Sequence, residues 1–413
     1  MYPCVILPTF WTRRRTRGSE RSQAVYDHPT PVDQDGTLPE LLKSLDEVRG
    51  LGRVLVLVAT TEPSIEHEAE DRVKGILADF PNIDALVVGG AEMGSLHRRM
   101  EQLEFADLIS GVSLTGYGAV RNVGLIAAAV LGSETVVFVD DDQIVTDPAF
   151  LEVALEGIGE RTASGKVIMA KSGFYTDDAG NYHAKDTAPW SDTFWRQNDS
   201  YNEALASVTA PPRIRPSTLA FGGCLALHRD MYCNVSFDPW VARGEDIDYV
   251  INARMHGGDV FLDGEWSIVH KPPAVAGTAR QFRQDVFRFI YEHRKLEFSK
   301  SQVDLRQVTP DSLMPYPGQF VSSSIGWRAR MTAVLRGLAG GERREYFTVA
   351  RTAVPQASSY ARANCEYYFA FQRRWPIMMD RLWEDIALKS LFTGERRVDR
   401  SAITGRFPVI RTD

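Results

Sequence analysis

The segments Arg53 to Ala59 (RVLVLVA) and Glu134 to Val139 (ETVVFV) carry unbroken apolar runs, without the polar alternation that a water-facing side would impose on a strand. Strands of this kind must be covered on both faces, and the intervening sequence supplies the covers. Leu38, Leu41, Leu42, Leu45 and Val48 recur at helical spacing, and Ser64 to Ala78 and Gly118 to Leu131 read as further helices. With buried strands also at Pro3 to Phe10 (PCVILPTF) and Ala85 to Val88 (ALVV), the pattern predicts an α/β fold: a mostly parallel sheet flanked by helices.

The regularity then loosens. Lys166 to Ala170 (KVIMA) reads as a strand, and Gly173 to Arg213 as an aperiodic insertion, holding Trp190 and Trp195, that shapes a substrate pocket. A last strand is expected at Trp266 to His270, with Pro272-Pro273 closing the α/β part. Beyond it Phe282, Val286, Phe289, Ile290 and Tyr291 form one helical stripe, and the segments 328–338 and 367–388 look similar. The reading gives an α/β domain over 1–275 and a mainly helical region over 276–413, the latter assigned to the acceptor site, oligomerisation or docking.

At 413 residues the chain can bury a large core. Its longest apolar stretches, such as Val123 to Leu131, fall far short of the roughly 20 residues of a membrane-spanning helix. The apolar start is followed by Arg13, Arg14, Arg15 and Arg17, the reverse of a secretory leader, and is read as a buried strand. Cys4, Cys224, Cys233 and Cys365 have no paired spacing, which fits a reducing compartment, and a cytoplasmic location is expected. The net charge of -7 is unevenly spread: residues 276–413 hold 23 Lys and Arg against 14 Asp and Glu, leaving 24 against 40 before them. An acidic front argues against a nucleic-acid partner. The basic tail fits an anionic partner such as phosphate groups or peripheral contact with the inner face of a membrane, subunit pairing in a homo-oligomer, or an Arg-rich solvated surface.

Ligands of open α/β sheets bind at the carboxyl ends of the strands. Here VVFV runs directly into Asp140, Asp141 and Asp142. Three adjacent carboxylates repel one another, and their oxygen donors suit Mg²⁺ or Mn²⁺ held jointly with substrate phosphates. The same residues also read as a solvated loop before a helix starting near Thr146-Asp147-Pro148.

Tyr117 to Asp142, YGAVRNVGLIAAAVLGSETVVFVDDD, resembles the donor-site stretch of GT-A fold glycosyltransferases, particularly glycosyltransferase family 2. There an Arg-Asn-x-Gly helix precedes a strand ending in a DxD-type motif; Arg121, Asn122 and Gly124 match the first, Asp140 and Asp142 the second. The resemblance continues through Gly222-Gly223-Cys224, Phe237-Asp238-Pro239 and Arg243-Gly244-Glu245-Asp246-Ile247-Asp248, and covers roughly residues 1 to 275. It implies a nucleotide-diphosphate sugar as donor, a UDP- or GDP-sugar, with Mn²⁺ or Mg²⁺ and a hydroxyl-bearing acceptor. On this resemblance Asp142 is the first choice of direct metal ligand, Asp140 is expected to meet the ribose or the metal and Asp141 to orient the pair, and His270 is expected as a further ligand or diphosphate contact. Arg121 is either a diphosphate contact or a salt-bridge partner of these acids, with Asn122 beside it. Pro8 and Thr9 stand where the family contacts base and ribose.

Attack on the sugar needs a base for the acceptor hydroxyl. Glu245-Asp246 resembles the acid pair of inverting family members, with Asp246 as base and Glu245 next; both also read as the start of a helix carrying Ile247, Val250 and Ile251. Gly222, Gly223, Trp240 and Arg243 are acceptor-side candidates, as are Trp190 and Trp195 through their ring faces. Other readings are a retaining enzyme acting on glycerate or phosphoglycerate, a nucleotidylyltransferase, whose usual Gly-rich loop is missing between Pro8 and Arg17, and a non-catalytic nucleotide-sugar binder.

Overall fold

The computed structural model describes residues 3–13, 26, 29–184, 189–271 and 278–393. The first half of the chain forms β1 (Cys4–Thr12), β2 (Thr30–Pro31), α1 (Leu38–Asp46), β3 (Val54–Thr60), α2 (Glu66–Leu77), β4 (Ala85–Val88), α3 (Gly90–Gln102), α4 (Tyr117–Leu131), β5 (Thr135–Phe138), β6 (Gln143–Ile144), α5 (Phe150–Leu155) and β7 (Ala170–Thr176). The second half forms α6 (Gln197–Leu205), β8 (Ile214–Pro216), β9 (Leu225–His228), α7 (Arg229–Tyr232), α8 (Glu245–Met255), β10 (Phe261–His270), α9 (Ala279–Ser299), α10 (Ile325–Ala339), α11 (Arg343–Leu382) and α12 (Ile386–Phe392).

The strands among the described residues join one sheet in the order β4-β3-β1-β5-β9-β7-β10-β6, with β2 on β1 and β8 on β10. The apolar runs that announced a doubly covered sheet form its centre: β1 pairs in parallel with β3, Leu7 opposite Val56, and with β5, Ile6 opposite Phe138. The α/β class and the mostly parallel sheet flanked by helices are as expected. What the pattern did not reveal is β9, which runs antiparallel between β5 and β7. Its inversion brings Gly222 and Gly223, just before its first residue, to the same edge as the carboxyl ends of β1, β5, β7 and β10.

The strand expected at 166–170 lies at Ala170–Thr176 instead. The sequence hides it because Lys171 and Ser172 occupy buried positions. Lys171 is tolerated there because its ammonium meets Asp263 at 2.9 Å and donates to the carbonyls of Val153 and Glu156. A buried charge persists only when paired and hydrogen-bonded in this way.

The helical C-terminal region is present, but its largest member is one 40-residue helix, α11, that carries Pro355 and Pro376 within it. At 1.5 Å per residue it is about 60 Å long. α4 is buried on all sides between Gly118 and Val130 because β1 and β3 cover one face and α11 and α12 the other. Trp375 of α11 donates its indole N–H to the Tyr232 carbonyl at 2.9 Å. Both hydrophobic cores therefore run across position 275, joining for example Val137 to Phe289 and Val120 to Trp375. A buried polar knot fastens α9 to α8: Lys295 meets Asp238 at 2.5 Å, Asp248 at 2.7 Å and the Asn252 amide oxygen at 3.1 Å.

Pro272-Pro273, read as the end of the α/β part, and Arg14, Arg15 and Arg17 lie outside the described residues.

Candidate active site

The triplet after β5 divides among three partners. β5 lies parallel to β1, so the turn that follows it passes the far end of β1, and Thr9 Oγ1 donates to Asp141 Oδ2 at 2.6 Å. Burial pushes the Asp141 carboxyl up to about 7; the Asp142 charge adds to this and the Thr9 hydroxyl opposes it. Asp140 faces the other way. Its Oδ1 accepts from Arg121 at 3.1 Å, its Oδ2 lies 3.4 Å from the Tyr175 hydroxyl, and its backbone N–H donates to Gln143 Oε1 at 3.0 Å. Burial raises the Asp140 carboxyl against the pull of the Arg121 guanidinium. Asp142 turns outward, where its Oδ2 lies 3.2 Å from His270 Nε2, and the two side chains are 20% and 29% exposed. β6 pairs antiparallel with the end of β10, Gln143 opposite His270, which fixes this contact from both backbones. The Tyr175 ring, at the end of β7, packs 4.6 Å from the imidazole.

Arg121, on the first half of α4, joins this group to a second pair of acids. It is buried, and it donates to Asp140, to the Gly222 carbonyl at 2.9 Å and to Glu245 Oε1 at 2.8 Å, with its guanidinium 5.1 Å from the Phe138 ring. Burial works against its charge, but Asp140 and Glu245 outweigh that and hold the proton on firmly. Gly222 is required here by space: a Cβ would sit 2.3 Å from Arg121 Nη2.

Glu245 and Asp246 open α8 as its first two residues, with Gly244 before them in the left-handed region at φ 68°. Neither acid caps the helix through the usual backward contact. Asp246 instead accepts from the Gly222 N–H at 3.0 Å and from the Ile247 N–H at 2.8 Å. Burial, and next the neighbouring Glu245 charge, push its carboxyl up to about 6, against Arg288 and Arg121. A half-buried carboxylate in that range exchanges protons near neutrality, as a general base must.

The structure separates other candidates from this cluster. Asn122 is wholly buried; its amide donates to the carbonyls of Phe237 and Gly111 at 3.0 and 3.3 Å and accepts from the Phe237 N–H at 2.9 Å. It locks α4 to the segment before α8 and does not reach the carboxylates. Asn122→Ala leaves three buried backbone groups short of a partner, which costs about 3 kcal/mol; a lowered urea midpoint without a changed slope will register it. Pro8 is a buried β1 residue opposite Leu57. Gly223, in contrast, belongs to the cluster: its N–H donates to the Tyr175 hydroxyl at 2.7 Å. Trp240 stacks toward α11, its ring centroid 6.2 and 5.9 Å from those of Tyr367 and Phe371. Arg243 lies 3.6 Å from Asp285 on α9. Trp195 is core, 1% exposed, while Trp190 is 61% exposed; Arg13 pairs with Glu62 at 2.7 Å.

Tyr175, Gln143 and Arg288 were not singled out from the sequence. Tyr175 ends a strand at the same edge, so the strand-end rule identifies it once β7 is placed at 170–176 rather than 166–170. Gln143 directly follows the triplet, and nothing in its type marks it.

Five carboxyls and two guanidiniums at one edge leave a field that favours a cation. Among the described residues no group of three or more His, Cys, Asp or Glu side chains surrounds a common point. Asp142 with His270 offers one oxygen and one nitrogen donor, both reachable from solvent. Hard divalent ions commonly take one or two protein donors and complete their shell with phosphates and water, so this donor set fits Mn²⁺ or Mg²⁺. Two surface clefts, one bordered by Arg53, Asp84 and Ser133 and the other by Met231, His256 and Asp304, contain none of these residues.

No protein-family model and no curated protein matches the chain. Among solved structures it is similar to a mannosyltransferase from Pyrobaculum calidifontis in complex with GDP-Man and Mn²⁺, at 15% identity and a TM-score of 0.48, covering 95% of this chain and 88% of that one. It is also similar to a mycobacterial protein (14% identity, TM-score 0.38, 70% of this chain and 74% of that one). A third is GalNAc-T7 with UDP, GalNAc and Mn²⁺ (11% identity, TM-score 0.37, 79% of this chain and 56% of that one). Similarity at this level assigns neither activity nor substrate to the chain.

Proposed function

We propose that this chain is a metal-dependent glycosyltransferase that moves a sugar from a nucleotide diphosphate to an acceptor hydroxyl, with inversion at the anomeric carbon. The observation that carries the reading is the bridge through Arg121, which holds the acids after β5 and those opening α8 as two walls of one site. A solvated loop would not be tied through a buried guanidinium to a second acid pair. The sequence resemblance to family 2 supports the same division of roles.

Asp142 and His270 would hold the divalent ion. When bound, the ion supplies neutralisation of the charge that grows on the departing diphosphate. Asp140, kept in place by Arg121, Tyr175 and Gln143, lines the donor side, and Asp141 and Thr9 fix the turn against the end of β1. Asp246 receives the acceptor's proton as the acceptor oxygen bonds to the anomeric carbon and the bond from that carbon to the phosphate oxygen breaks. The Gly222 N–H holds one oxygen of Asp246 and the Ile247 N–H the other, so its orientation is set before substrate arrives.

A thermal-shift screen of UDP- and GDP-sugars, with and without Mn²⁺, tests the donor half directly. A ligand at a hundred times its Kd adds about 2.7 kcal/mol to apparent stability. We expect a shift that requires metal and nucleotide sugar together; no shift with any donor in the presence of Mn²⁺ removes the reading. The anomeric configuration of the product, read by NMR, separates inversion from retention.

A further inference from the structure

α9 belongs to the C-terminal helical region, outside the stretch that carries the family resemblance, yet it places a guanidinium against the start of α8. Arg288 is 5% exposed. Its Nε donates to Glu292 Oε1 at 2.8 Å and its Nη1 to the Tyr316 hydroxyl at 3.4 Å, whereas Nη2 is buried with no hydrogen-bond partner, as is Glu292 Oε2. An Arg–carboxylate pair serving cohesion alone favours the bidentate fork, which would satisfy both orphaned atoms. Here the fork is open. The guanidinium lies so close to Gly244 that a Cβ there would sit 2.2 Å from Nη1 and 2.3 Å from Cζ. Gly244, in its left-handed conformation, leads directly into Glu245 and Asp246, so the cation rests on the backbone that carries the candidate base.

The groups around Asp246 come from five elements. They are Glu245 on α8 itself, Arg121 on α4, Tyr175 on β7, Tyr201 on α6 and Arg288 on α9, with Tyr316 and Glu292 reaching it through Arg288. Arg121 is already shared between Asp140 and Glu245. We propose that Arg288 is a positioning residue for Asp246: through it the C-terminal region supplies the charge that keeps this carboxylate ionised and holds the first turn of α8 in register with the donor wall. The direction of the Arg288 effect on Asp246, downward against burial and Glu245, agrees with this geometry. Glu292 is the counterweight, because it competes for the same guanidinium. The assignment rests on the reading of Asp246 as proton acceptor given above.

The test compares pH profiles of kcat/KM for the full chain and for Arg288→Met, Arg288→Lys and Glu292→Gln. A neighbouring opposite charge displaces a carboxyl by about 1 to 3 pH units, so Arg288→Met moves the acid limb up by about that amount. Arg288→Lys restores most of it. Glu292→Gln moves the limb down, a direction that loss of packing does not produce. A limb unmoved in both Arg288→Met and Glu292→Gln overturns the proposal, and if Arg288→Met does not fold, Glu292→Gln alone decides it.

A second arm needs no turnover. The stability difference between each background and its Asp246→Asn derivative is followed by thermal unfolding from about pH 4 to 8. In the Arg288→Met background, or in Arg288→Met/Glu292→Gln should the single variant not fold, the pH at which this difference levels off moves up. A shift here without any nucleotide-sugar turnover upholds the role of Arg288 and sinks the glycosyltransferase reading; turnover with neither limb nor plateau moved does the reverse.

Discussion

Replacing Asp142 with Ala lowers metal-dependent turnover of the nucleotide sugar by about a thousand-fold or more, while the protein stays folded. Metal stabilisation of transition-state charge is worth several kcal/mol, and about 4 kcal/mol corresponds to three orders of magnitude. Of the three aspartates, Asp142 is the one whose carboxylate is held by neither a hydroxyl nor a guanidinium: Asp141 is held by Thr9 and Asp140 by Arg121. Its remaining contact is His270, the other proposed donor. Because the side chain is 20% exposed and takes part in no core packing, its loss costs little stability. Asp140→Ala behaves differently, since it leaves the buried Arg121 short of a counter-charge and lowers stability along with rate. Full activity of Asp142→Ala would falsify the donor-site assignment.

Asp246→Asn separates rate from stability. General-base catalysis contributes about 10²- to 10⁴-fold, and the amide cannot accept the proton, so kcat falls by that factor. The effect on stability depends on pH. The folded-state carboxyl is raised from its unfolded value to about 6, so the folded protein binds more protons than the unfolded one between those two values. Stability from this group is therefore present in acid and lost as pH rises through about 6. The amide carries no such loss, although its NH2 replaces one of the two oxygens that accept from the Gly222 and Ile247 N–H groups, so the stability of the variant relative to the parent rises between pH 4.5 and 7.5 on top of a constant cost of about 1 to 3 kcal/mol. In the parent protein kcat/KM falls about tenfold per pH unit below 6 as the base is protonated. Denaturant melts of both proteins at pH 4.5 and 7.5 measure that rise; a difference that stays constant or falls toward the higher pH contradicts the charge assigned to Asp246.

Legibility in the sequence followed burial. The doubly covered strands β1, β3 and β5 were readable because a strand with no wet face can hold only apolar residues. β7 was displaced by four residues because its buried Lys171 and Ser172 break that rule and are satisfied by partners that only the fold supplies. α11 spans two prolines, which ordinarily mark breaks, one of them exposed; its length is set by packing along α9, α4 and α10 rather than by propensity. At the site, Asp140 and Asp142 stand at the edge where strand-end reasoning put them, and Glu245 and Asp246, read from the family resemblance and as a helix start, lie across Arg121 from them. The aromatic and amide partners were hidden because their roles depend on register. Arg288 was hidden because it falls off the stripe of Phe282, Val286 and Phe289, where helix periodicity marks an arginine as solvent-facing, whereas the buried acids around it reverse that.

α4 is enclosed by two covers made at very different times. β1 and β3, which shield its inner face, precede it in the chain, whereas α11 and α12, which shield the outer face, are the last described helices to be synthesised. On the ribosome, then, the helix bearing Arg121 remains a sticky, half-clothed surface until translation has passed Phe392. During that interval this face is open to its neighbours, and α4 is enclosed only once α11 and α12 have emerged.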